Sequence, residues 1–275
     1  MLITVINHTT IPDEEVQETL RAINRQLAED FEPYWSFGGT LRLEGPAGSK
    51  PDSNTTAELR GDAVIYLWDE ADIEGALGYH DHNNRGIAYG FVFTEISREI
   101  GEPWSVTLSH EALELVGDPQ VNLLVKGPHP NPNEQREVFH WFEMCDAVQA
   151  ETYEIDGVRV SNFVLPLYFT GESETGSRND FLGTRLGGAT LQSFGVNPGG
   201  YVGFYDPELQ GYDTFSLDGD ALAKDRMGIK FKLKGARRAN RYGAETKACD
   251  ASRVSRRTAT RAGSPARRKT AKKRR

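Results

Sequence analysis

Cysteine is nearly absent from this chain. Only Cys145 and Cys249 occur among 275 residues, too few for a disulfide framework or a cysteine-rich zinc knuckle. A reducing cytoplasm is the expected setting. Long apolar runs are missing too: no stretch of about 18 apolar residues exists, so no transmembrane helix and no membrane partner are expected. The opening Met1-Leu2-Ile3-Thr4-Val5-Ile6-Asn7 lacks the basic region and cleavage site of a secretory leader and reads as a buried strand. Hydrophobic residues still make up 38% of the chain, enough for a sizeable core at this length.

Acidic and basic charge are not mixed evenly. Residues 236–275 hold 15 Lys and Arg against Glu245 and Asp250, about +13, whereas the whole chain carries −8 and residues 1–235 therefore −21. The C-terminal stretch is rich in Ala, Ser, Thr, Arg and Lys and nearly devoid of large apolar residues. Such a segment cannot offset its ordering entropy by burial, so the expectation is a folded domain over 1–235 and a disordered basic tail over 236–275. A basic arm of this kind neutralises nucleic-acid phosphates or other polyanions, and it can equally fold back on its own acidic domain.

Within the domain, Pro12-Asp13-Glu14-Glu15 opens a helix with acids in its first turn. Val16, Leu20, Ile23 and Leu27 carry the apolar stripe to about Phe31. Thr40–Glu44 alternates as a strand, 45–56 is a loop, Ala63–Trp68 is the most apolar strand, and Gly86–Phe93 is another. Tyr79-His80-Asp81-His82-Asn83-Asn84-Arg85 reads as a surface loop, with a second metal site or a cleft wall as the alternative. Asp156-Gly157 marks a hairpin turn, Val160–Phe169 continues as an apolar strand, and Gly199–Tyr205 forms a strand or lines a cleft.

The chemistry concentrates in Ser109-His110-Glu111-Ala112-Leu113-Glu114-Leu115-Val116-Gly117-Asp118-Pro119. A helix starting near Pro103 and ending at Gly117 sets Thr107, His110, Glu111 and Glu114 on one face, with Asp118 beyond. Leu108, Ala112, Leu115 and Val116 fall on the other side. Unpaired carboxylates are costly to bury, so a metal ion or a wet cleft would account for the row. His110-Glu111-x-x-Glu114 departs by one residue from His-Glu-x-x-His, in which two histidines hold zinc and the glutamate is the general base. Carboxylate oxygen is also a zinc ligand, though an added anion weakens the metal's pull on bound water.

Downstream, Phe142-Glu143-Met144-Cys145-Asp146 supplies further carboxylates. Ser-His-Glu-x-x-Glu at 109–114, Asp118-Pro119 and Glu-x-x-Asp at 143–146 together resemble a zincin-like group of zinc-dependent metallopeptidases. Asp30-Phe31-x-Pro33-x-Trp35 also fits that group, and the likeness covers about residues 1–235. It implies an α+β, metzincin-type mixed sheet with an active-site helix and an edge strand that holds extended substrate, for which Gly86–Phe93 is the candidate, with an ordinary buried strand as the alternative reading of that segment. It also implies a zinc cofactor, with another divalent metal as the alternative.

On this reading His110 and Glu114 are ligands and Glu111 is the catalytic base. Glu143 is the first choice for a third ligand, with Asp146 as a further member of the metal set, holding His110 or a water. Asp118 and His140 are alternative ligands. The expected function is hydrolysis of a peptide or protein substrate by metal-activated water. The alternative is a catalytically inactive zincin-fold module, associated with phage or DNA through the basic tail.

Overall fold

The structure is a computed structural model that describes residues 1–45, 61–71, 77–82, 86–171, 178–183, 185–186 and 189–217. The basic stretch 236–275 and most of the expected 45–56 loop lie outside the described residues. The described fold is mixed α+β, built on a five-stranded sheet and a four-stranded sheet that share one core.

The first sheet begins with β1 (Leu2–Asn7), which pairs in parallel with β2 (Thr40–Leu43) and β3 (Ala63–Trp68). Parallel strands need a crossover, and helix α1 (Asp13–Arg25) supplies the one between β1 and β2. A wider helical turn (Gln26–Phe31) and the short α2 (Glu32–Trp35) extend it. Next come β4 (Gly78–His82) and β5 (Ala88–Phe93), giving the order β2-β1-β3-β5-β4 with β4 antiparallel to β5 at the edge.

Two sequence expectations change here. Residues 78–82 form a strand and not a surface loop, and the edge of the sheet is β4, with the 86–93 segment inside it. The physical reason is burial: every residue of Ala88-Tyr89-Gly90-Phe91-Val92-Phe93 is buried, as suits an interior strand flanked on both sides.

Strand parity then sorts the side chains. Ile3, Val5, Ala63, Ile65, Leu67, Ala88 and Val92 face one way and join the main core with Val16, Leu20 and Ile23 of α1. Val64, Tyr66, Tyr79, Tyr89, Phe91 and Phe93 face the other way and form a second, aromatic cluster. By the same alternation Gly78 and His80 of β4 lie on the main-core face. Helix α3 (Thr94–Glu99) leads into α4 (Trp104–Gly117), which packs across that face against β4 and β5.

The second half covers the other side of α4. Strands β6 (Leu124–Pro128) and β7 (Glu137–Trp141) pair as a hairpin, and a tight turn at Asp146–Val148 follows. Strands β8 (Thr152–Ile155) and β9 (Val158–Ser161) form the expected hairpin, with both Asp156 and Gly157 at positive φ (52° and 81°). Residues after Ser161 do not continue as a strand; the chain turns through a short helix at Pro166–Phe169. The minimal pair β10 (Arg185–Leu186) and β11 (Ala189–Thr190) precedes β12 (Val202–Asp206) and β13 (Gly211–Phe215), which complete a sheet of order β13-β12-β7-β6.

Side-chain hydrogen bonds fasten the halves together. Ser109 Oγ donates to Gln26 Oε1 (2.6 Å) and accepts from the Ser161 amide (3.1 Å), while Gln26 Nε2 donates to the Ser161 carbonyl (2.8 Å). Tyr153 donates its hydroxyl to Asp30 (2.8 Å), and Trp35 Nε1 donates to the Val164 carbonyl (3.1 Å). Burial pushes the Asp30 carboxyl up despite the Tyr153 hydroxyl, which favours its charged form.

Helix α4 comes close to the sheet at Gly78. A Cβ there would come within 2.7 Å of Thr107 Cγ2 and 3.2 Å of Glu111 Cγ. Gly78→Ala should therefore destabilise the fold by about 1–3 kcal/mol, the usual cost of overpacking, read as a lower urea midpoint with an unchanged slope.

Candidate metal centre

Helix α4 is buried almost all the way round: every residue from Ser105 to Val116 is buried. Pro103 stands immediately before it in an extended conformation (φ −61°, ψ 130°) and Asp118 closes it, in agreement with the sequence reading of both ends. The apolar side contributes Leu108, Ala112 and Leu115 to the core. Burial on the polar side follows from β4, which covers the row that the sequence alone would leave facing a cleft.

Glu114 is the hub of that row. Its Oε1 lies 3.2 Å from His110 Nε2 and accepts the Cys145 amide at 3.2 Å. Its Oε2 lies 3.7 Å from His80 Nδ1. On the His110 side, Asp146 Oδ1 stands 3.2 Å from His110 Nε2. His110, Glu114 and Cys145 each offer a ligand atom within 4.8 Å of the others. On the opposite side, Glu111 Oε2 accepts from His80 Nδ1 at 3.0 Å, and Glu143 Oε2 lies 3.8 Å from His80 Nε2. His80, Glu114 and Glu143 form a second group within 4.8 Å.

The sequence-derived residues thus divide into three sets. His110, Glu111, Glu114, Glu143 and Asp146 converge, with Glu143 grouped with His80 and Glu114, and Asp146 next to His110. Asp118 ties down the turn after α4: its Oδ2 accepts the Leu123 amide (2.8 Å) and its carbonyl accepts the Val121 amide (3.0 Å). His140 stands in β7 with its ring against Phe194 and Phe204, and its Nε2 lies 2.8 Å from the Pro128 carbonyl.

Sequence reasoning put His80 in a surface loop, with a second metal site or a cleft wall as the alternative, and passed over Cys145. The alternation Gly78-x-His80-x-His82 is a period-2 signal, and it aims His80 at α4 once 78–82 is a strand. Cys145 lies inside the Glu143–Asp146 motif, and nothing in its spacing set it apart from a core residue.

The donor set suits a divalent cation. It combines imidazole nitrogen, carboxylate oxygen and thiol sulfur, the three donor types zinc accepts. Two separations of 3.2 Å around His110 Nε2 match the ligand–ligand edge of about 3.3 Å that tetrahedral bonds of about 2.0–2.1 Å produce. Glu111, Glu114, Glu143 and Asp146 are at most 5% exposed. None of the segments 78–82, 104–118 and 140–150 contains a Lys or Arg, so compensating positive charge from these segments is limited to imidazolium.

His140 provides a pH test of its own, structural role. Burial, reinforced by His129 and opposed by the Pro128 carbonyl, lowers it to about 4. The folded chain thus keeps His140 neutral where the unfolded chain takes up a proton. Its contribution is intact above about pH 6.5 and falls as pH drops toward 4, by about 3 kcal/mol in all. Denaturant titrations of wild type and His140→Phe should show that difference narrowing across this window and staying flat above it.

Comparisons of the chain with protein-family models, with curated proteins and with solved structures find no match.

Proposed function

We propose that the chain is a zincin-like, metal-dependent hydrolase acting on a peptide or protein, with zinc as the first choice of cation. The observation that carries this reading is the convergence of His110, Glu114, Cys145 and Asp146 around one imidazole nitrogen, beside a carboxylate–imidazole pair, Glu111 and His80. His110 and Glu114, one turn apart, would hold the cation together with Cys145 or Asp146. The bound cation would supply a water of lowered pKa and polarise the scissile carbonyl.

Glu111 would serve as the general base, taking a proton from water and passing it to the leaving amine. His80 orients the Glu111 carboxylate through its Nδ1–H. The antiparallel edge strand β4, which carries His80, is the natural place for an extended substrate to lie. Cys145 is buried and stands outside any disulfide among the described residues, and a reducing cytoplasm would keep its thiol reduced. No helix among the described residues is long and apolar enough to cross a membrane.

A second reading has one observation in its favour. His110, the most open of the converging residues, is only 7% exposed, and a catalytic cation needs a position that water and substrate can reach. A module that holds its metal structurally would have such a closed centre. The basic stretch 236–275 would serve either reading as a polyanion-binding arm, because each Lys or Arg that meets a phosphate releases a counterion.

Glu111→Gln keeps the shape of the side chain and an acceptor for His80 while removing basicity. Peptidase turnover should fall by at least about 100-fold, with metal content unchanged by elemental analysis. Loss of the metal in this variant would make Glu111 a ligand and not the base. Truncation after Gly235 should leave the melting temperature nearly unaltered and abolish salt-sensitive DNA binding measured by anisotropy at two ionic strengths. Binding that persists in the truncated chain would move the polyanion site into the folded domain.

A further inference from the structure

We propose that the centre binds two divalent cations, with Glu114 as the carboxylate they share. The cation on the His110 side rests on the hydrolase reading above; the one on the His80 side has its own geometric support. Each oxygen of Glu114 faces a different imidazole ring: Oε1 is 3.2 Å from His110 Nε2, and Oε2 is 3.7 Å from the His80 ring at Nδ1, the nitrogen beside the one proposed to bind the cation. The carboxylate thereby joins two separate three-residue groups, His110–Glu114–Cys145 and His80–Glu114–Glu143, each with its donor atoms within 4.8 Å. Sharing a carboxylate in this way suits the separation of about 3.5–4 Å found in two-metal sites.

The His80 side is built as a ligand site. An ionised Glu111 Oε2, 3.0 Å from Nδ1, accepts from an Nδ1–H tautomer, which makes Nε2 the ligating nitrogen. This is the carboxylate–imidazole–metal arrangement that orients ligating histidines. Glu143 Oε2 stands 3.8 Å from that same Nε2, close to the separation of two ligands on one ion. Two features of β4 bring the ring there: its parity aims His80 at α4, and Gly78 lets the helix approach to where a Cβ would touch Glu111.

Charge supports the same count. Glu111, Glu114, Glu143 and Asp146 carry four negative charges when ionised, in a region at most 5% exposed. Ligating imidazoles are neutral and a ligating Cys145 would be a thiolate, so one divalent cation leaves −3 buried and two leave only −1. Uncompensated buried charge is strongly unfavourable. Imidazole with two carboxylates suits Zn²⁺ or Mn²⁺ on the His80 side, and the thiol of Cys145 favours Zn²⁺ on the other.

The test is metal stoichiometry of the untagged full-length chain after equilibration with buffered zinc and removal of free ion. Wild type should hold about two equivalents, and both His80→Ala and the near-isosteric Glu143→Gln should hold about one. Loaded with Mn²⁺, wild type should give the exchange-coupled paramagnetic resonance spectrum of an ion pair, and Glu143→Gln the six-line signal of isolated ions. Circular dichroism establishes that each variant is folded; if His80→Ala is not, Glu143→Gln and the Mn²⁺ spectrum decide. One equivalent in wild type, retained in both variants, overturns the second site and leaves the hydrolase reading standing. One equivalent that vanishes in either variant also overturns it, because a single ion would then draw on both sides. No bound metal at all overturns this proposal and the hydrolase reading together.

Discussion

Buried negative charge on α4 is the constraint from which the rest of this structure follows. A helix that carries Glu111 and Glu114 through the middle of the fold needs partners on each side, because an ionised carboxylate in a low-dielectric interior is tolerated only when paired or hydrogen-bonded. Each side answers differently. The first sheet sends His80 from its edge strand, and the second half sends Cys145 and Asp146 from the turn after β7, with the Cys145 amide donating to Glu114. The polar row therefore determines which edge strand lies next to the helix and where the following chain must return.

Positioning of α4 relies on groups with no part in the chemistry. Ser109 precedes His110 and points the opposite way, into a buried exchange with Gln26 and the Ser161 backbone. Three buried polar groups satisfying one another in this way specify a single register between α1, α4 and β9, since any slip would leave them unpaired. The wider helical turn at Gln26–Phe31 belongs to the same arrangement. It carries Gln26 at its start and Asp30 near its end, each meeting Tyr153, and such irregular turns recur where a helix must place side chains for a particular task.

Legibility from sequence followed the range of the forces involved. The ends of α4 were readable because Pro103 and Gly117 act locally on the backbone, and so was the Asp156-Gly157 hairpin, where both residues adopt positive φ. The apolar strands at 2–7, 63–68 and 88–93 were readable from their composition. Strand β4 was not, because its residues Gly78-Tyr79-His80-Asp81-His82 look like a polar turn until a neighbouring strand and helix bury them. The edge was misplaced for the same reason, since sheet order depends on pairing partners that a one-dimensional pattern does not encode. At the centre, residues on one helix face were found by periodicity alone. His80, 31 positions from Glu111, required the sheet topology first.

The centre draws on three separate parts of the chain: the edge strand β4, helix α4, and the 143–146 connection behind β7. The last of these is held from behind, because the Asp146 and Ala147 carbonyls accept the Tyr201 and Asn197 amides (both 3.0 Å). Its side chains at the centre are thus presented by a backbone tied to the chain leading into the second sheet, while His80 is carried by the first. Any cation placed between them would link the two sheets through Glu114, and its binding free energy would add to the stability of their association. The reverse also holds. Without a cation, any repulsion among ionised carboxylates would act at the same seam. A site that couples metal binding to the closure of two sheets is compatible with both catalysis and structure, and access for water, not ligand chemistry, is what separates those roles.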